Sequence, residues 1–172
     1  MSTRQILRRH GDARNTAREL LQIVFAAELL APSRCVWIVS PWLRDIPVLD
    51  NRSADFVSLD PRFPRGLVRI SAVLASLLER GTQIVVATRP DQQSREVVGA
   101  LRSAAPSGRI IYAERDELHA KGIVGDSAAL VGSMNFTHNG VDRLTEMLTF
   151  NTDSERVSEI RLEFAREYGG LS

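Results

Sequence analysis

Apolar residues recur at helical spacing in four stretches of the chain and form short uninterrupted runs in six others. From Thr16 the run spaces Leu20, Ile23, Val24, Ala27 and Leu30 as one face of a helix, with Pro32 as its stop. Val36-Trp37-Ile38-Val39-Ser40 reads as a buried strand ended by Pro41. Residues 43–66 carry Pro47, Pro61, Pro64 and Gly66 with little periodicity and read as one long loop, of a length that usually accompanies function or mobility. Leu67 to Arg80 predicts a second amphipathic helix closed by Gly81. Ile84 to Thr88 follows as a strand ended by Pro90, Asp91 as the cap of a helix running to about Ser103, and Arg109 to Ala113 as a third strand. Leu118–Val124, Ala128–Gly132 and Leu144–Asn151 are further strands. Ser154 to Tyr168 is a last helix, with Val157, Ile160, Phe164 and Tyr168 on its inner face. Helices and strands alternate first and strands then crowd together, which predicts a layered α/β/α sandwich with a central mixed sheet. Residues 1–12, polar and arginine-rich, predict a flexible or short helical lead-in to a single domain spanning residues 1–172.

Composition narrows the class of protein. The chain has 172 residues, a net charge of +1 and 44% hydrophobic residues, which excludes a disordered chain, a histone-like polycation and an acidic tail. No uncharged apolar run reaches the about 18 residues needed to span a bilayer, and the charged start lacks an apolar core. A cytoplasmic protein without membrane association is therefore expected. Cys35 is the only cysteine, so neither an internal disulfide nor a cysteine-rich zinc site is expected. No carboxylate cluster suggests a metal, and no cofactor is expected. Of the 22 basic residues all but one are arginine, and the lone lysine, Lys121, stands two positions after His119.

That location carries the chemistry. Strand periodicity puts His119 and Lys121 on one face, and Ser133 and Asn135 would share a face in the next strand. If the two strands are hairpin neighbours, an imidazole, an ammonium, a hydroxyl and an amide converge on one patch. This set suits a phosphate diester: Lys121 neutralises the non-bridging oxygens, Ser133 and Asn135 donate to them, and His119 is left as nucleophile or proton carrier.

The spacing His119-x-Lys121, four residues, Asp126, then Gly132-Ser133-x-Asn135 resembles the motif of the phospholipase D superfamily. Many members carry it twice and this chain carries it once, which resembles the superfamily's small bacterial endonucleases, homodimers in which two copies complete the site. In-line displacement at phosphorus gives an independent reason for a dimer. One imidazole cannot attack on one side and protonate the leaving group on the other, whereas two related by a two-fold axis can. The resemblance implies a metal-independent route through a phosphohistidine. It also suggests that Glu146, on a strand after the motif, orients the histidine; a surface glutamate is the plain alternative. Asp126 matches the motif and is counted with the catalytic set, although its place between strands reads mainly as structural.

Other residues have two readings. Trp42 and Arg44 follow the first core strand and could wall a substrate, or belong to an ordinary surface loop. His138 could be a second histidine within one chain, or an exposed loop residue. Arg4, Arg8, Arg9, Arg14 and Arg18 could meet nucleic acid phosphates or form a solvated face, and His10 reads as solvated. Core packing explains Trp37. The expected function is a nuclease hydrolysing DNA or RNA. The alternatives are a phospholipid-active phospholipase or phosphatidyltransferase, and a non-cutting nucleic-acid-binding subunit with protein partners in a DNA modification or defence system. Size and Ser40-Pro41-Trp42 also resemble the phospholipase-D-like component of clusters that insert 7-deazaguanine bases into DNA and restrict unmodified DNA.

Overall fold

A computed structural model describes residues 3–7, 13–142 and 147–171. In chain order the elements are β1 (Thr3–Leu7), α1 (Ala13–Leu30), β2 (Cys35–Val39), β3 (Pro47–Asp50), a 3-10 turn (Asp55–Ser58), β4 (Leu67–Arg69), α2 (Ile70–Glu79), β5 (Gln83–Thr88), α3 (Gln92–Ala104), β6 (Ile110–Glu114), β7 (Gly122–Val124), β8 (Ala129–Gly132), α4 (His138–Asp142), β9 (Met147–Asn151) and α5 (Ser154–Tyr168). Seven strands form one sheet in the order β1-β9-β8-β7-β2-β5-β6. β2, β5 and β6 run parallel, while β2–β7, β7–β8, β8–β9 and β9–β1 are antiparallel, so the sheet is mixed.

Strand alternation divides the core into two layers. Val36 and Ile38 of β2 with Ile84 and Val86 of β5 face α1, α2 and α3, whereas Cys35, Trp37 and Val39 with Val85 and Ala87 face α5. Trp37 is fully buried and its indole donates to the Gly169 carbonyl at 2.8 Å, tying the end of α5 to the sheet. Asp91 caps α3 by accepting from the Ser94 amide at 2.8 Å, and Asp153 caps α5 from the Arg156 amide at 3.2 Å. Among the described residues no helix is long and apolar enough to cross a membrane.

Four sequence expectations change. Thr3–Leu7 is no flexible or helical lead-in but an edge strand, in register from Thr3 with Asn151 to Leu7 with Met147. Its backbone completes the otherwise open edge of β9, a demand that side-chain periodicity does not register. The 43–66 stretch is not one loop: β3 pairs with β4, joined by the 3-10 turn. Leu67–Arg69 is thereby drawn out of the expected helix, which begins at Ile70. On α1 the buried stripe is Ala17, Leu20, Leu21, Val24, Phe25 and Leu29, while Ile23 and Leu30 are exposed. Two apolar stripes compete on that helix, and the one carrying Phe25 and Leu21 takes the core.

The same rotation buries Glu28. Its carboxylate accepts from the Ser33 amide at 3.0 Å and the Ser33 hydroxyl at 2.9 Å, and that hydroxyl accepts from the Asp126 amide at 2.6 Å. Burial raises the Glu28 pKa; the Ser33 hydrogen bonds oppose the rise without cancelling it, and nearby Asp126 adds to it. The folded chain therefore holds this proton more tightly than the unfolded chain. Its contribution to stability is full below the ordinary carboxylate range and is lost as pH climbs through the raised one. Urea unfolding of wild type and Glu28→Gln at about pH 5 and about pH 8 should show wild type losing stability relative to the variant at the higher pH. An unchanged difference contradicts the assignment.

Candidate functional site

The carboxyl ends of β2 and β5, the carboxyl end of β8 and the start of β7 meet at one end of the sheet. Val39 pairs with both Ala87 and Gly122, and Gly122 pairs with Val131. The residues just beyond these pairs are Ser40, Thr88-Arg89, Lys121 and Gly132-Ser133. Carboxyl ends of parallel strands are where open α/β sheets bind ligands.

β7 is shorter than expected, so His119 and Lys121 stand on the segment leading into it rather than on the strand. Two contacts give that segment its shape. The Lys121 ammonium donates to the His119 carbonyl at 2.7 Å, and the Gly132 amide donates to the Lys121 carbonyl at 3.1 Å. Leu118 is buried against the α5 layer, anchoring the chain just before the exposed His119.

Across from it, Ser133 closes the end of the β8–β9 ladder. Its amide donates to the Met147 carbonyl at 3.0 Å and its hydroxyl accepts from the Met147 amide at 3.0 Å. Gly132 has to be glycine here, because a Cβ would meet the Met147 carbonyl oxygen. Asn135 is held from behind. Its Oδ1 lies 3.4 Å from the buried Ser40 hydroxyl, which donates its proton to the nearer Trp42 carbonyl at 2.8 Å and accepts from the Phe136 amide at 3.2 Å. An amide oxygen turned toward Ser40 puts the donor end of the amide on the opposite side. Gly140 makes room for the Asn135 backbone, which a Cβ there would strike. His119, Lys121, Ser133 and Asn135 are thus brought to one end of the sheet by the β7–β8 hairpin.

The other expected residues lie elsewhere. Asp126 is at the far end of β7 from Lys121, about 16 Å along a strand. It accepts from the Arg34 amide at 3.0 Å and pairs with Arg161 at 2.8 Å, both structural contacts. Arg44 does not reach into the patch as a substrate wall: its guanidinium is engaged by Asp91 at 2.6 Å and the Leu43 carbonyl at 2.8 Å. Burial raises the Asp91 pKa, but Ser94 and Arg44 outweigh it and keep Asp91 below the ordinary carboxylate range. Trp42 is at the patch, 41% exposed. His138 opens α4 and lines a groove with Arg44, Asp45 and Ser71. Glu146, His10, Arg8 and Arg9 lie outside the described residues. Burial pushes the Cys35 thiol up to about 11, which removes it as a thiolate nucleophile. Among the described residues no group of three or more His, Cys, Asp or Glu is placed to hold a metal ion.

Sequence reasoning missed Arg89. It follows β5 directly; its Nε donates to the Leu118 carbonyl at 3.0 Å, and its Nη2 lies 3.3 Å from His119 Nδ1 and 3.4 Å from Nε2. Its guanidinium also stacks over Trp42, 5.6 Å from the ring centroid. The signal available was its position at the carboxyl end of a parallel strand; among 21 arginines that position did not stand out.

The comparisons agree with this architecture. The chain superposes on NucT from Helicobacter pylori with a TM-score of 0.59 at 14% identity, covering 96% of this chain and 95% of that one. Nuc from Salmonella typhimurium, described as a phospholipase D family member, gives 0.59 at 14% identity over 97% and 93%. Polyphosphate kinase from Porphyromonas gingivalis gives 0.61 at 12% identity, over 95% of this chain but 25% of that one. At such identities the likeness is one of fold. No curated protein matches the sequence significantly. Residues 62–168, more than half of the chain and all of the His-x-Lys and Gly-Ser-x-Asn segments, match the family described as "Cardiolipin synthase, PLD-like domain", and the chain belongs to that family of the phospholipase D superfamily.

Proposed function

We propose that the protein is a metal-independent phosphodiesterase that hydrolyses nucleic acid through a phosphohistidine, with its site completed by a second copy of the chain. The observation that carries this reading is the gathering of His119, Lys121, Ser133 and Asn135 at one end of the sheet. The two nuclease-named neighbours, matched over nearly their whole lengths, support it.

The chemistry follows from in-line displacement. A ring nitrogen of His119 attacks phosphorus, and the bond to the leaving oxygen breaks as that oxygen takes a proton from the partner's His119. A water then attacks the phosphorus of the P–N adduct, giving its proton to the partner's His119. The P–N bond breaks and His119 returns to its starting form, so both histidines end as they began. Lys121 balances charge on the non-bridging oxygens, while Ser133 and Asn135 donate to them as charge builds. The partner's imidazole supplies the proton that one ring cannot deliver to both sides. Trp42 walls the substrate side of this patch.

His119→Ala should lower hydrolysis of bis(p-nitrophenyl) phosphate at least about a hundredfold, and wild-type turnover should be unchanged in EDTA. Retained turnover in the variant, or loss on chelation, rejects the mechanism. Lys121→Arg should lose about tenfold or more despite its equal charge, because a flat fork does not replace a compact donor already turned onto the His119 carbonyl. Near-wild-type rates in that variant contradict the role. Equal amounts of wild type and His119→Ala, allowed to exchange, should give about half the activity that the same wild-type protein gives alone, since random pairing spends half of it in mixed dimers. Simple additivity rules out a shared site. Plasmid, single-stranded DNA, RNA and phosphatidylcholine vesicles, incubated side by side in EDTA, distinguish a nuclease from a lipid-active enzyme by which of them is cut.

A further inference from the structure

The chain around Trp42 is anchored on both sides, yet the ring is left out. Pro41 precedes it, and the Ser40 hydroxyl donates to the Trp42 carbonyl at 2.8 Å. Leu43 is fully buried, with its amide on the Ser94 hydroxyl at 3.1 Å, and the Arg44 amide donates to the Phe136 carbonyl at 2.8 Å. A backbone held this firmly could have turned an indole inward. It keeps the ring 41% exposed instead, beside the nucleophile.

Arg89 joins that ring to His119. Its amide donates to the Pro41 carbonyl at 3.1 Å, its Nε grips Leu118, and its guanidinium spans from the Trp42 ring to the His119 imidazole. Its Nη2 is almost equally far from the two ring nitrogens, 3.3 and 3.4 Å, so the guanidinium lies against the imidazole as a whole rather than on one nitrogen. We infer that Trp42 and Arg89 form a platform on which an unpaired base of the substrate stacks while Arg89 meets the phosphate next to the scissile one. The inference rests on the nuclease reading above and names its substrate as single-stranded polynucleotide.

Three considerations favour this occupant. Stacking on an indole needs a base with an open face, and in a duplex both faces are covered by neighbouring pairs. A cationic lipid headgroup such as choline would meet the charge of Arg89 on the same ring, whereas a phosphate is attracted to it. The groove from Ala120 to α5 carries Glu159, Glu163 and Glu167 against one cation, Arg166, and this net negative lining disfavours a phosphate chain, which leaves the Trp42–Arg89 side to carry the strand.

The experiment measures equilibrium binding, by fluorescence anisotropy, of His119→Ala protein to a labelled single strand of about 12 nucleotides, the same strand with abasic sugars, and a blunt duplex, alongside wild-type cleavage of the single strand in EDTA. Base-bearing strands of DNA and of RNA are both used, because a π-face is common to them. In the His119→Ala background, Trp42→Ala should weaken binding of the base-bearing strand about tenfold or more and leave the abasic strand unchanged, and Trp42→Phe should keep most of the affinity. Arg89→Gln should reduce the slope of log affinity against log salt by about one. The abasic arm also reports folding, since a misfolded variant loses both strands. Equal binding of base-bearing and abasic strands, or equal losses on every strand with Trp42→Ala and Trp42→Phe, overturns the platform while cleavage leaves the nuclease reading standing. Wild type that cuts no strand, with His119→Ala protein that binds none, overturns both.

Discussion

The site depends on β7 being held from both sides. Gly122 is paired with Val39 of β2 on one flank and with Val131 of β8 on the other, and both pairings are antiparallel. A slip of one residue in either ladder would turn each side chain of β7 to the opposite layer, moving Ile123 out of one core and Val124 out of the other. Burial on both faces therefore locks the register. A locked register delivers Lys121 beside Gly132 and Ser40 beside Asn135. The functional groups themselves contribute little to this alignment; core packing sets it, and the polar residues occupy the positions where the packing stops.

Once the strands end, single polar contacts hold the geometry. Arg89 joins two stretches far apart in sequence, the Trp42 ring on one side and the Leu118 carbonyl with the His119 imidazole on the other. Such an arrangement gives the imidazole a fixed support although it lies on an irregular segment, the placement that the proposed mechanism calls for. The same arginine brings a permanent positive charge to the end of the sheet where His119, Lys121, Ser133 and Asn135 gather.

At the other end of β7 the physical problem is different. Asp126, Ser33, Glu28, Arg34 and Arg161 form a partly buried polar group in which hydrogen bonds and an ion pair offset desolvation. It ties the end of α1 and the start of β2 to the β7–β8 turn and joins them to α5. The motif's aspartate thus serves the frame at one end of β7, while His119 and Lys121 stand at the other.

Much was legible in the sequence because it follows from short-range rules. Short uninterrupted apolar runs located β2, β5, β6 and β8, helical spacing located the inner face of α5, and the spacing from His119 to Asn135 pointed to phosphodiester chemistry. Asp91 read as a cap because capping is a matter of neighbouring residues. The remainder depended on partners distant in the chain. Whether Thr3–Leu7 became a strand was decided by the open edge of β9, whether Leu67–Arg69 left its helix by β3, and which stripe of α1 was buried by the shape of the sheet beneath it. Arg44 and Arg89 are chemically identical arginines near strand ends, yet tertiary contacts gave the first to Asp91 and the second to His119. Local spacing could say which groups were available for chemistry; only the folded sheet, by bringing the ends of four strands together, could say which of them meet.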